Sequence, residues 1–112
     1  MHEMSLAESV LQIIEDAARA QEFRRVRTVV LEIGRLAAVE AEAMRFCFDA
    51  VASGSIAEGA RLEIFETPGA GHCAACGVTV ALQEQYGLCP ECGSPRIEII
   101  AGNQMRVKDL EV

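Results

Sequence analysis

The sequence predicts a mixed α/β fold of the α+β kind: two helices packed on a three-stranded sheet, with a small cysteine-rich module inserted. Three observations predict it. Apolar residues recur at helical spacing in two segments of the 112-residue chain. A run rich in β-branched residues follows the first of these segments, an alternating run follows the second, and a further apolar run closes the chain. Two Cys-x-x-Cys pairs stand between the second run and the third.

The elements follow in order. Residues 5–21 read as an amphipathic helix, with Leu6, Val10, Ile13, Ile14 and Ala17 on one face and Ser5 with Glu8 as a capping box. Residues 26–33 read as a strand that points Val29, Leu31 and Ile33 to one side, and Gly34 ends it. A second helix spans 40–53, with Ala43, Met44, Cys47, Phe48 and Val51 on a shared face. Residues 61–66 alternate again and pair with the first strand. Thr67-Pro-Gly-Ala-Gly-His72 reads as a linker, and Gly102-Asn103 as a turn. Residues 105–112 are too apolar for a loose tail and return to the first sheet. The domains are therefore 1–67 plus 103–112, and 68–102.

Composition narrows the function. The chain carries 17 acidic against 10 basic side chains, a net charge of −7, and such a surface repels phosphate backbones. With no Trp and one Tyr there is no stacking platform for single-stranded nucleic acid. The exception to the acidic balance is a local cluster of Arg24, Arg25 and Arg27. No signal peptide and no apolar run of about 20 residues is visible, so the expectation is a cytoplasmic protein without membrane insertion. No nucleophile–base pair or phosphate-binding glycine loop is present to suggest an enzyme.

The cysteine module reads Cys73-Ala-Ala-Cys76-Gly, twelve residues, then Cys89-Pro-Glu-Cys92-Gly. Two such pairs bring four thiolates within reach of one tetrahedral ion. Gly77 and Gly93 allow the positive φ that turns backbone amides toward the sulfurs. A module this small cannot bury enough surface to fold unaided, so a structural metal serves as its core. Zinc in a zinc ribbon is the expectation. The same knuckles suit iron of the rubredoxin type, while a redox dithiol fits poorly. His72, beside Cys73, reads as an exposed linker residue because four sulfurs already complete the site, with replacement of a cysteine ligand as the alternative, and Cys47 reads as a buried core thiol.

Met1-His2-Glu3 forms a second constellation. The α-amine of Met1 and the amide and imidazole nitrogens of His2 can chelate one ion, and the amide of Glu3 can complete a planar set. Square-planar nitrogen coordination suits Ni(II) and Cu(II) and not Zn(II). The competing reading is a frayed terminus with a solvated histidine.

Taken together, these pieces resemble the HypA/HybF family of nickel-insertion proteins, which mature NiFe hydrogenases. The resemblance rests on Met1-His2-Glu3, Glu32-Ile33-Gly34, Arg45-Phe46-Cys47-Phe48, Ala57-Glu58-Gly59-Ala60, the double Cys-x-x-Cys, and Gly102-Asn103-Gln104-Met105-Arg106, in this order. It implies a nickel domain with an inserted zinc domain, Ni(II) as cargo on Met1, His2 and Glu3, and Glu40 near the nickel. It implies handover to the hydrogenase large subunit with a HypB-type nickel GTPase as partner, and in some bacteria service to urease. Gln104 departs from the family, where a Glu is frequent. The rival reading is a zinc-ribbon module that docks a protein without delivering metal. The oligomeric state, monomer or homodimer, is open.

Overall fold

The computed structural model describes residues 2–85 and 87–112. The elements run α1 (His2–Gln21), β1 (Thr28–Gly34), a 3-10 turn (Arg35–Ala37), α2 (Ala41–Ala52), β2 (Arg61–Thr67), β3 (Gly69–Cys73), β4 (Thr79–Leu82), β5 (Ile97–Ala101) and β6 (Met105–Glu111). The strands form two three-stranded sheets, ordered β2-β1-β6 and β4-β3-β5. The fold is therefore two helices with a mixed sheet and an inserted second sheet, as the sequence predicts. None of the helices is long and apolar enough to cross a membrane among the described residues.

The chain divides into two compact units. The first holds Met1–Leu31, Val39–Phe65 and Val107–Val112. Its core is the meeting of three apolar patterns. Helix α1 buries Ala7, Val10 and Ile14; α2 buries Met44, Cys47, Phe48 and Ala52; β1 buries Val29 and Leu31. The two helices pack against each other. Each large side chain buried this way is worth about 1.5–3 kcal/mol of transfer free energy. Cys47 is a buried thiol here, and Ile13, placed on the apolar face by periodicity, is 48% exposed.

The arrangement of the first sheet can be read from its ends. The Arg27 N–H donates to the Glu111 carbonyl, and the Gly34 N–H to the Gln104 carbonyl, so β1 and β6 run antiparallel. The Arg61 N–H donates to the Arg27 carbonyl at one end, while Arg35 meets Glu66 at 3.1 Å at the other. Strands β1 and β2 are therefore parallel, and α2 is the crossover that such a pair requires.

One expectation about α1 is corrected. The helix begins at His2, not at Ser5, so Ser5 and Glu8 lie inside it and form no capping box. The Ser5 carbonyl accepts instead from the Ser9 hydroxyl at 3.1 Å. An acidic residue in the first turn, Glu3, favours the earlier start, because a carboxylate there opposes the positive end of the helix dipole.

The second unit holds Glu32–Ala38 and Glu66–Arg106. Its central strand is β3, antiparallel to both β4 and β5. Strand β3 takes in residues 69–72 of the segment 67–72 read from sequence as linker, and the correction has a steric cause. A Cβ at Gly69 would come within 2.6 Å of the Leu82 carbonyl oxygen, and one at Gly71 within 2.4 Å of the Ile97 side chain. The strand is glycine-rich because its neighbours press on it, not because it turns.

Candidate metal centres

The four cysteines converge. Cys73 ends β3, Cys76 follows it by one tight turn, and Cys89 and Cys92 form a second such turn before β5. Their four Sγ atoms all lie within 4.8 Å of one another. Cys73 and Cys92 are separated by 3.6 Å, and Cys76 and Cys89 by 3.8 Å. These separations are far too long for disulfides, whose S–S bond is about 2.05 Å. They match a metal tetrahedron, since Zn–S bonds of about 2.3 Å give edges near 3.8 Å. The donor set thus fits one four-coordinate thiophilic ion. Cys73 and Cys89 are buried, while Cys76 and Cys92 are exposed. His72 is exposed and outside the cluster.

The two turns share one backbone solution. The Gly77 N–H donates to the Cys73 carbonyl at 2.8 Å, and the Gly93 N–H to the Cys89 carbonyl at 2.8 Å. Positive φ at both glycines, 80° and 77°, lets the next amide swing onto a sulfur. The amides aimed at sulfur are therefore not the glycines' own. Those of Cys76 and Ala75 face Cys73, that of Val78 faces Cys76, and that of Ser94 faces Cys92.

The electrostatics of the four cysteines are divided. The Cys76 and Ala75 amides, with neighbouring thiols, lower the Cys73 thiol to about 6, against the cost of burial. At Cys76 the Val78 amide favours the thiolate, yet burial and the other sulfurs push the thiol up to about 12. Cys92 is also raised, its Ser94 amide outweighed by burial and by the Cys73 sulfur. The Cys73 thiolate forms readily and Cys76 and Cys92 are held back, so a cation favours the ionisation of those two.

At the other candidate centre, Met1 lies outside the described residues. His2 opens α1 with its side chain 53% exposed, while the Glu3 side chain is only 10% exposed. Glu3 is the one buried charged residue among those described. Its Oε2 lies 3.4 Å from the His2 Nε2 and accepts the Glu40 N–H at 3.3 Å. The Glu40 amide first, then Glu3's own, hold this carboxyl below the usual range. Glu40 in turn caps α2, its carboxylate accepting from the amides of Glu42 at 3.2 Å and Ala43 at 2.6 Å. The N-terminal ends of the two helices are thereby joined through Glu3 and Glu40. The cap role of Glu40 was missed in the sequence because Ser, Thr, Asp and Asn are the usual caps.

A family model described as "Hydrogenase/urease nickel incorporation, metallochaperone, hypA" matches residues 1–112. The chain belongs to the HypA family. Among curated relatives, it is 56% identical to the hydrogenase maturation factor HypA of Azotobacter chroococcum mcd 1 over 112 residues, covering all of this chain and 99% of that protein. It is 58% identical to the HypA of Dechloromonas aromatica (strain RCB) over the same coverage. Among solved structures it is similar to the solution structure of the Ni metallochaperone HypA from Helicobacter pylori. The TM-score is 0.74 and the identity 27%, covering 99% of this chain and 97% of that one. A second HypA solution structure gives a TM-score of 0.70 at 29% identity. The HypA resemblance read from the sequence motifs is thus established over the whole chain.

Proposed function

We propose that this chain is a nickel carrier with a structural zinc site, and not an enzyme. Nickel is held as cargo by the α-amine of Met1, the amide and imidazole nitrogens of His2 and the amide nitrogen of Glu3, with Glu40 close by. It is passed to the NiFe hydrogenase large subunit in the cytoplasm, with a HypB-type GTPase as partner, and to urease where the organism has one. The nickel domain is 1–67 plus 103–112, and the zinc domain 68–102. The zinc is held by Cys73, Cys76, Cys89 and Cys92 and supplies no chemistry beyond fixing the ribbon.

The observation that carries the nickel site is the position of His2 and Glu3 in the first turn of α1, tied down by the buried Glu3 carboxylate. The first four amides of a helix have no acceptor within it. Binding metal through the amides of His2 and Glu3 therefore breaks no helix hydrogen bond. The donors are few and lie at the helix end, which suits an ion that must be released as well as held.

The test is metal content with nickel titration on the untagged protein and on His2→Ala. Intact mass first checks that Met1 is retained with a free α-amine. One zinc per chain in both, with nickel binding and hydrogenase maturation lost in the variant, supports the reading. Nickel binding indifferent to the substitution would remove it and leave a zinc-ribbon docking module.

A further inference from the structure

The cationic side chains of the chain are few, and most are occupied. Arg19 pairs with Asp16, Arg35 with Glu66, Arg45 with Glu42, Arg61 with Glu63 and Arg106 with Glu32. Lys108 lies over the Phe65 ring. Arg24, Arg25 and Arg27 are different. All three are exposed and lie within four residues. None forms an ion pair among the described residues, and the bordering Glu22 and Glu111 pair with none of them.

The backbone that carries them is held on three sides. Val26, between Arg25 and Arg27, is 1% exposed and donates its N–H to the Ile56 carbonyl at 3.0 Å. The Arg27 N–H donates to the Glu111 carbonyl at 2.7 Å, and its own carbonyl accepts from Arg61 at 2.8 Å. Three uncompensated guanidiniums thus stand on a fixed platform in a molecule whose net charge is −7. Leaving such charges unpaired gains nothing for folding, since exposed pairs are worth little either way. For an approaching surface it matters more. Charges carried on four consecutive residues of a fixed backbone can act together, since the Debye length is about 8 Å at physiological salt.

We propose that Arg24, Arg25 and Arg27 form a docking surface for a carboxylate-rich protein surface, one that the nickel-delivery reading requires the chain to meet. The guanidinium fork suits carboxylates and would orient as well as attract. Nucleic acid is the less favoured partner. Three phosphate contacts give weak binding at physiological salt, the rest of the molecule repels phosphate, and no aromatic platform adjoins the loop.

The proposal rests on the delivery reading, and the test separates the two. Association of the full-length, zinc-loaded protein with the purified nickel GTPase and with the hydrogenase large-subunit precursor is followed across a salt series. The proteins compared are the native chain, R24E/R25E, and R96E as a control reversal at another exposed, unpaired arginine. For at least one partner, R24E/R25E should lower the association rate about tenfold or more at low salt and flatten its salt dependence, with R96E near native. Nickel titration should stay unchanged in both variants. Association that is indifferent to R24E/R25E, or equally weakened by R96E, overturns the patch alone. Loss confined to binding of a single-stranded RNA probe also overturns it. A native chain that binds neither partner overturns the delivery reading and the patch with it.

Discussion

Glu40 shows how one side chain can carry two explanations. Its carboxylate caps α2, and its amide holds the buried Glu3. Glu40→Ala should therefore cost about 0.5–2 kcal/mol of stability, the usual loss of a helix cap. Glu40→Asp should recover most of it, and thermal melts of the pair measure this. Nickel titration on the same variants then asks a separate question. If affinity follows stability through both, the residue acts by positioning Glu3; if Glu40→Asp restores stability but not affinity, the carboxylate meets the metal. Gly102 makes a second, purely steric case. Its φ is +83°, and a Cβ there would come within 2.5 Å of the Gly69 Cα and the Pro68 carbonyl oxygen. Gly102→Ala should destabilise by about 1–3 kcal/mol or more, seen as a lowered denaturation midpoint. A neutral substitution would mean that this close approach is absent in solution.

At the scale of elements, the sequence was informative where pattern and burial agree. The second helix and the first and last strands were placed within two residues, because their apolar spacing is also their burial pattern. The four cysteines were legible for a simpler reason, since their spacing dictates convergence. Strand β3 was not legible, because tight packing demands glycine there and glycine reads as a turn. The start of α1 was misplaced because a capping-box pattern at Ser5 outranked Glu3, whose partner Glu40 is distant in sequence. The knuckles make a prediction at this scale. Zinc needs thiolates, so protons compete with it. Cys73, lowered to about 6, is a thiolate above that pH and becomes a competing thiol below it. Cys76, pushed up to about 12, must lose its proton to the metal throughout the neutral range. Zinc affinity should thus fall with acidity, and fall more steeply below about pH 6. Zinc release to a chromophoric chelator across a pH series checks this; an affinity flat from pH 7 to 5 would contradict it.

The whole molecule joins two kinds of stability in one chain. The first unit is held by apolar burial, with Phe48 among its largest fully buried side chains at 1% exposure. In the second, besides Cys73 and Cys89, the large buried apolar residues among those described are few: Ile33, Leu36 and Leu82. On the proposed zinc reading, a small sheet of this kind would depend on its metal, whose binding is worth on the order of 10–16 kcal/mol in comparable modules. The two units should therefore fail under different insults. Phe48→Ala should cost about 3–5 kcal/mol, a large share of the roughly 5–15 kcal/mol that stabilises an ordinary domain. It should weaken the helical circular-dichroism signal at moderate denaturant while zinc stays bound. A strong chelator should do the reverse, releasing zinc and the β3–β5 sheet while most of the helical signal persists. Following ellipticity and zinc release together in the native protein and in Phe48→Ala decides the matter. Transitions that coincide in both proteins would mean a single cooperative unit. Separate transitions would mean that zinc loss can loosen the ribbon while leaving the helix that carries His2 and Glu3 intact.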